Sequence, residues 1–91
     1  MDVIENPGRH RFELRLDDGS MALADYIAQG DRLVLTHTEV PPQYEGKGVG
    51  SRLARGVFDQ ARASGRTLMP LCSFMVAYAR RHPEYGAVLP D

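Results

Sequence analysis

The stretch Glu45-Gly46-Lys47-Gly48-Val49-Gly50-Ser51 lies between an extended segment and the long amphipathic pattern of this 91-residue chain. Its glycines at alternate positions allow the backbone to turn sharply and to come close to a ligand. Where a helix begins after such a loop, its first backbone N–H groups have no intrahelical partner, and the helix dipole adds positive potential. The stretch is therefore typical of an anion site suited to phosphate, with Lys47 adding a positive charge nearby.

Two well-known phosphate motifs do not fit these residues. The mononucleotide P-loop requires Ser or Thr after its Gly-Lys pair, and Gly48 follows Lys47 here. The dinucleotide fingerprint requires its third glycine where Ser51 stands. A glycine loop before a helix is also compatible with simple turn chemistry, so the loop alone leaves the ligand open.

The residues after the loop predict a helix, a strand and a second helix. Over residues 49–61 apolar side chains recur every three or four positions, which is one stripe of an amphipathic helix, and Gly65 is the expected C-terminal stop. Residues 67–71 predict a short buried strand. Ser73 is the expected cap of a second helix that Pro83 ends.

The residues before the loop predict three strands, over residues 10–16, 21–28 and 32–40. The first run alternates apolar and charged residues, and the links between runs are short and contain glycine, which favours an antiparallel meander. Strand, loop, helix and strand over residues 32–71 then form a βαβ unit with a right-handed crossover. We therefore predict a mixed α/β (α+β) fold: a three-stranded antiparallel meander, a βαβ unit and a C-terminal helix.

Composition narrows the class of protein further. With 43% apolar and 25% charged residues, the sequence predicts one globular domain over residues 1–91. A net charge of -1 argues against a nucleic-acid partner. Cys72 is the only cysteine and the three histidines lack metal-ligand spacing, so we expect neither a disulfide framework nor a metal. The first residues read as neither a signal peptide nor a membrane anchor, and we expect a cytoplasmic protein.

Several separated motifs resemble one family. Thr36-His37-Thr38-Glu39-Val40-Pro41 precedes the glycine loop, and Pro70-Leu71-Cys72-Ser73-Phe74 and His82-Pro83-Glu84-Tyr85 follow it. Over residues 10–85 the chain resembles short GNAT-like N-acetyltransferases, which correspond to the coenzyme-binding half of the larger GNAT enzymes. The resemblance implies the GNAT acyltransferase fold and acetyl-CoA as the co-substrate.

The resemblance also implies a coenzyme site. In GNAT proteins a loop of Gln or Arg, two residues, Gly, one residue and Gly or Ala holds the coenzyme A pyrophosphate through backbone amides. Gly48 and Gly50 match the glycine positions, whereas Glu45 departs from Gln or Arg. The strands flanking the helix splay apart around the pantetheine arm, here residues 37–40 and Leu71-Cys72. The residues implied to bind the coenzyme are Thr38, Val40, Glu45, Gly46, Lys47, Gly48, Val49, Gly50, Ser51 and Cys72.

Three residues are candidates for the chemistry, which requires a deprotonated amine, a polarised thioester carbonyl and a proton for the departing thiolate. By the resemblance Tyr78 supplies that proton; alternatively its ring only packs in the core. Cys72, at the start of a helix, is either a thiolate that accepts the acetyl group or a small buried hydrophobe. His37 is either a general base or a histidine bonded within the sheet.

The predicted function is transfer of acetyl from acetyl-CoA to a primary amine, the acceptor being unknown. A non-catalytic coenzyme A or acyl-CoA binding module is the alternative, because 91 residues leave little chain for an acceptor pocket. We expect a monomer or weak dimer that binds acetyl-CoA and an amine, with no nucleic-acid or membrane partner.

Overall fold

A computed structural model describes residues 3–90, which form one five-stranded sheet with two helices. The strands are β1 (Val3–Asn6), β2 (Arg11–Arg15), β3 (Met21–Gln29), β4 (Arg32–Glu39) and β5 (Thr67–Pro70), and the helices are α1 (Val49–Ser64) and α2 (Ser73–Arg81). Short 3-10 helices occupy Pro7–Arg9, Pro42–Tyr44 and Pro83–Val88. The strand order is β1-β2-β3-β4-β5; the first four strands are antiparallel and β5 is parallel to β4. The predicted mixed α/β fold is confirmed.

The meander has one more strand than the sequence predicted, because β1 precedes it. The pairing of β1 with β2 runs from Val3 opposite Leu14 to Asn6 opposite Arg11. Four residues are too few to show a clear period of two, so the pattern did not reveal this strand. His10, predicted to begin the next strand, instead has a left-handed backbone (φ 52°) and closes the turn between β1 and β2.

The core lies between α1 and one face of the sheet. On β2 the predicted alternation is confirmed, with Phe12 and Leu14 fully buried, and α1 buries its apolar stripe against them. The core face of β3 carries Ala22, Ala24 and Tyr26. Since successive strand residues point to opposite faces, Met21, Leu23 and Ile27 lie on the face without a helix.

Helix ends agree with the sequence at α1 and differ at α2. Gly65 ends α1 in a left-handed conformation (φ 72°), and its N–H bonds to carbonyl groups of the last turn, as predicted. Ser73, predicted to cap α2, is its first residue instead. The N-cap is Cys72, in an extended conformation, and no side chain caps the helix. None of the helices within residues 3–90 has the length and apolar character needed to cross a membrane.

Candidate active site

Strands β4 and β5 pair only along the first part of β4. The register runs from Arg32 opposite Thr67 to Leu35 opposite Pro70. The Leu35 carbonyl then accepts the N–H groups of both Leu71 (2.9 Å) and Cys72 (3.3 Å), which ends the ladder. The rest of β4 has no β5 partner, so a gap opens between the two strands.

A β-bulge in β4 lies where this gap begins. Leu35 pairs with Tyr26 and His37 pairs with Asp25, so Thr36 is an extra residue on β4. The Thr36 hydroxyl donates to the Asp25 carbonyl (3.4 Å). A bulge bends its strand and changes where the following side chains point. The bulge thus accounts for the separation of β4 from β5 next to residues 37–40.

The glycine loop leads from the end of β4 into α1. Gly46 and Gly48 both have φ of 79°, a left-handed conformation that costs side-chain-bearing residues about 1–2 kcal/mol. Gly48 is the N-cap of α1, and no side chain caps this helix. The N–H groups of its first turn therefore have neither an intrahelical acceptor nor a capping side chain.

A cavity of about 430 Å³ opens at this helix N-terminus. It runs from the end of β4, across the glycine loop, to the first turn of α2. Most of the residues predicted to bind the coenzyme line it: Thr38, Val40, Glu45, Gly46, Gly48, Val49, Gly50 and Ser51. Lys47 and Cys72 do not belong to its wall.

Two aromatic residues that the sequence analysis did not assign complete the wall, Tyr44 and Phe74. A Cβ on Gly50 would lie 2.8 Å from Phe74 Cζ, so the glycine leaves room for this ring against α1. The Tyr44 hydroxyl accepts the Asp18 N–H (3.3 Å) across 26 positions of sequence. A local pattern cannot predict either contact, although Phe74 belongs to a motif already noted.

Glu45 sets the electrostatic character of the cavity wall. It carries the one charged side chain among the described residues that line the cavity. A carboxylate opposes the binding of an anion, so attraction for phosphate must come from the N–H groups and dipole of α1.

Cys72 lies at one end of the cavity. Its Sγ atom is 3.2 Å from Thr38 Oγ1, across the gap between the strands, and the thiol is partly buried. Thr38 itself lines the cavity. The structure therefore brings Cys72 next to the predicted coenzyme site and also places it at the N-terminus of α2.

His37 and Tyr78 lie outside this cavity. His37 is on the opposite face of the sheet from Thr38, 55% of its side chain is exposed, and its Nε2 is 3.0 Å from Glu39 Oε2. Tyr78 is buried; its ring stacks on His82 (4.1 Å between centroids) and packs against Phe58. It borders a second cavity of about 440 Å³ between α1 and the C-terminal 3-10 helix, and burial raises its pKa. Of the three catalytic candidates, only Cys72 is adjacent to the glycine loop cavity.

Within residues 3–90 no three side chains of histidine, cysteine, aspartate or glutamate are grouped as metal ligands would be.

Two features of the fold, together with the cavity, are typical of one class of mixed α/β protein. An antiparallel meander leads into a splayed parallel pair, and an uncapped helix N-terminus lies beside the gap. A profile of the family described as GCN5-related N-acetyl-transferase matches residues 11–88, and the chain belongs to this family.

The relatives agree with this assignment. Protein NATD1 of Mus musculus and of Homo sapiens are each 32% identical to the chain over 79 residues, which cover 82% of this chain and 70% and 68% of those proteins. The solution NMR structure of a GCN5-like protein from Staphylococcus aureus superposes with a TM-score of 0.72 at 21% identity, covering 97% of this chain and 86% of that one. At this identity the structural similarity establishes the fold alone.

Proposed function

We propose that the chain transfers the acetyl group of acetyl-CoA to a primary amine. The observation that carries the proposal is the cavity at the uncapped N-terminus of α1, where Gly46, Gly48 and Gly50 keep side chains away from the backbone N–H groups. Membership of the GCN5-related N-acetyltransferase family supports the reaction class.

In this proposal the pyrophosphate of the coenzyme binds to the first-turn N–H groups of α1. The pantetheine arm then lies along Thr38 and Val40, beside the part of β4 that has no β5 partner. Phe74 offers an apolar surface to the arm. The thioester consequently lies close to Thr38 and Cys72, at the gap between the strands.

Two routes for the acetyl group are compatible with this position. In the direct route the amine attacks the thioester carbonyl, the carbon–sulfur bond breaks, and the coenzyme thiolate takes up a proton. In the relay route the Cys72 thiolate attacks first and releases the coenzyme thiolate; the amine then attacks the acetyl-cysteine and regenerates Cys72. The contact between Cys72 and Thr38, together with the N-terminus of α2, favours the relay, because the positive end of a helix dipole stabilises a negatively charged group such as a thiolate.

Coenzyme binding is tested by thermal unfolding with acetyl-CoA, with ATP and NADH as controls. A ligand at one hundred times its Kd stabilises a protein by about 2.7 kcal/mol. Gly48→Val should abolish the stabilisation by acetyl-CoA. Gly30→Val is the matched control, because Gly30 is also left-handed (φ 61°) with open space around it but lies in the turn between β3 and β4. Equal loss of binding in both variants would contradict the assignment of the loop.

Transfer is tested by the release of free coenzyme A with a panel of amines and peptides. If the relay route operates, Cys72→Ala should abolish the amine-dependent release of coenzyme A. Full activity of this variant would show that the amine attacks the thioester directly. Stabilisation by acetyl-CoA without transfer to any amine would identify a non-catalytic coenzyme-binding module instead.

A further inference from the structure

The face of the sheet opposite α1 carries an apolar strip that ends at the candidate active site. Ile27, Val34 and Met69 are direct neighbours across β3, β4 and β5 in the strand register. Their sequence neighbours Tyr26, Leu33, Leu35 and Leu68 point into the core, so these three point to the other face. We call Ile27, Val34, Met69 and Leu71 the apolar strip.

The strip is not part of the core. Val34 is only 8% exposed, but it does not belong to the buried core cluster. This is expected for a residue that neighbouring side chains cover on the face without a helix. Ile27 is 55% exposed and Leu71 61% exposed. The partly buried Met69 and the nearly buried Val34 connect these two exposed side chains into one apolar row, and a continuous apolar row on a sheet face is a candidate contact surface for another molecule.

The strip is continuous with the gap where the acetyl group is proposed to lie. Leu71 follows β5 and precedes Cys72, and the N–H groups of both residues bond to the Leu35 carbonyl. On the other side of the gap, the same face of the sheet carries Asp25, His37 and Glu39. A ligand at the gap therefore has apolar contacts where the paired strands end and on the β5 side, and carboxylates on the β4 side.

We infer that the apolar strip binds the amine acceptor and that this acceptor is a polypeptide with an apolar residue beside its amine. The inference rests on the proposed function, since it assigns the acceptor of that same site. The carboxylates of Asp25 and Glu39 complement the positive charge of an approaching ammonium group. A small polyamine has no apolar side chain that could pack on the strip, whereas a peptide can present one next to its amine.

The size of the strip favours a peptide over a second copy of the chain. A stable protein–protein interface buries about 800 Å² on each partner and uses about 20–30 residues a side. Four side chains are far fewer than that and match one or two apolar residues of a peptide. The prediction is therefore a contribution to peptide selectivity and not to assembly.

The test compares two short capped peptides, each with one lysine, flanked by leucine in one and by serine in the other. The intact protein should acetylate the leucine peptide with a kcat/KM about tenfold higher, because burying an apolar side chain is worth roughly this factor. Ile27→Ser, at a strip residue that is 55% exposed and lies away from the gap, should remove most of the preference through KM. Ile4→Ser is the matched control, since Ile4 is 66% exposed on the same face but lies on β1, at the far edge of the sheet.

Two further measurements make the outcomes distinct. Thermal stabilisation by acetyl-CoA should be the same in the wild-type, Ile27→Ser and Ile4→Ser proteins. NMR titration with the leucine peptide should shift signals of the strip even without turnover. Equal rates for both peptides, or equal effects of the two variants, would overturn the inference and leave acetyl transfer standing. A concentration-dependent dimer that Ile27→Ser dissociates would assign the strip to self-association and overturn the inference as well.

Acetylation of neither peptides nor small amines would refute the proposed function. If the leucine peptide then also failed to shift the strip signals, the inference would fall with it.

Discussion

Gly46, Gly48 and Glu45 determine the backbone geometry and the charge of the cavity wall beside α1. Both glycines have left-handed backbone torsions, and Gly48 leads directly into the first turn of α1. Glu45 lies in the same wall and carries a negative charge where the family pattern has Gln or Arg. In the proposed coenzyme site the backbone would therefore attract a pyrophosphate, and this side chain would oppose it.

Glu45→Gln should strengthen coenzyme A binding. Removing one exposed like charge near the pyrophosphate is worth about 1 kcal/mol, or roughly a fivefold lower Kd, and added salt should reduce the gain. Isothermal titration calorimetry with coenzyme A at two salt concentrations measures both effects. Glu39→Gln, which removes a carboxylate on the other face of the sheet, should leave the Kd unchanged. A Kd that Glu45→Gln does not lower would show that Glu45 is distant from the bound phosphates.

Among the structural elements, the packing of β1 against α1 depends on one glycine. A Cβ on Gly56 would overlap the Val3 side chain, because it would lie closer to the Val3 Cβ and Cγ atoms than van der Waals contact allows. Gln60, one turn later, donates to the Val3 carbonyl (2.6 Å). A glycine in the middle of a helix costs about 1 kcal/mol relative to alanine, and here it allows the edge strand to lie close to the helix.

Gly56→Ala should destabilise the protein despite its better helix propensity. Overpacking of this kind costs about 1–3 kcal/mol, measured as the free energy of unfolding in urea. In a Val3→Gly background the same substitution should cost much less, because the Cβ atom and both branches that it would overlap are gone. A destabilisation of equal size in both backgrounds would exclude the contact with Val3 as its cause.

A second connection between elements supports the cavity from outside. Asp18, in the turn between β2 and β3, accepts the Ser20 N–H (2.9 Å) and the Gln43 side-chain amide (3.0 Å). The Ser20 hydroxyl also donates to Asp18 (2.5 Å) and contributes most to lowering the Asp18 pKa to about 2, followed by the Gln43 amide and the Ser20 N–H. The Asp18 N–H in turn donates to the hydroxyl of Tyr44, a cavity residue.

Asp18→Ala should weaken coenzyme A binding roughly two- to fivefold, as expected when hydrogen bonds that hold a binding residue are lost. Asp17→Ala is the control, since its neighbouring carboxylate takes no part in these bonds. Calorimetric titration with coenzyme A measures the Kd of both variants. An unchanged Kd for Asp18→Ala would show that Tyr44 keeps its position without this turn.

On the scale of the whole molecule, Glu5 connects segments that are far apart in the sequence. Arg66, between α1 and β5, donates to Glu5 through both terminal nitrogens (3.0 and 2.8 Å), and the Tyr26 hydroxyl on β3 donates at 2.6 Å. The hydrogen bond from Arg66 is the main reason that the Glu5 pKa is lowered. Burial and the Glu5 hydrogen bond raise the pKa of Tyr26 to about 12.

These shifts predict a loss of stability at both extremes of pH. Glu5 has a lowered folded pKa, so its stabilisation is complete above the unfolded pKa of about 4.3 and is lost as the pH falls through the folded value. Tyr26 has a raised pKa, so its stabilisation is present below about pH 10 and is lost as the pH rises towards 12. Urea unfolding at pH 7 and pH 3 should show a smaller acid effect for Glu5→Gln than for the wild-type protein. Glu45→Gln, outside this network, should retain the full acid effect, and parallel pH profiles for the wild-type protein and Glu5→Gln would contradict the assignment.

Residues that interact with near neighbours were the ones that the sequence analysis predicted well. The alternation of Phe12 and Leu14, the stripe of α1 and the stop at Gly65 all follow from periods and end signals within a few residues. The glycine loop was recognised for the same reason. β1 was missed because four residues carry too little pattern and depend on their partner strand.

What the sequence determined by itself is therefore the order and type of the strands and α-helices from β2 to α2, and the position of the glycine loop before α1, since local backbone preferences and hydrophobic periods encode both. Only the tertiary structure decided that Tyr44 and Phe74 complete the cavity, that Cys72 meets Thr38 across a bulged strand, and that His37 and Tyr78 lie elsewhere. These positions depend on strand register and on packing between residues far apart in the chain. A shift of one residue in a strand exchanges its faces, so no local pattern specifies which side chains meet.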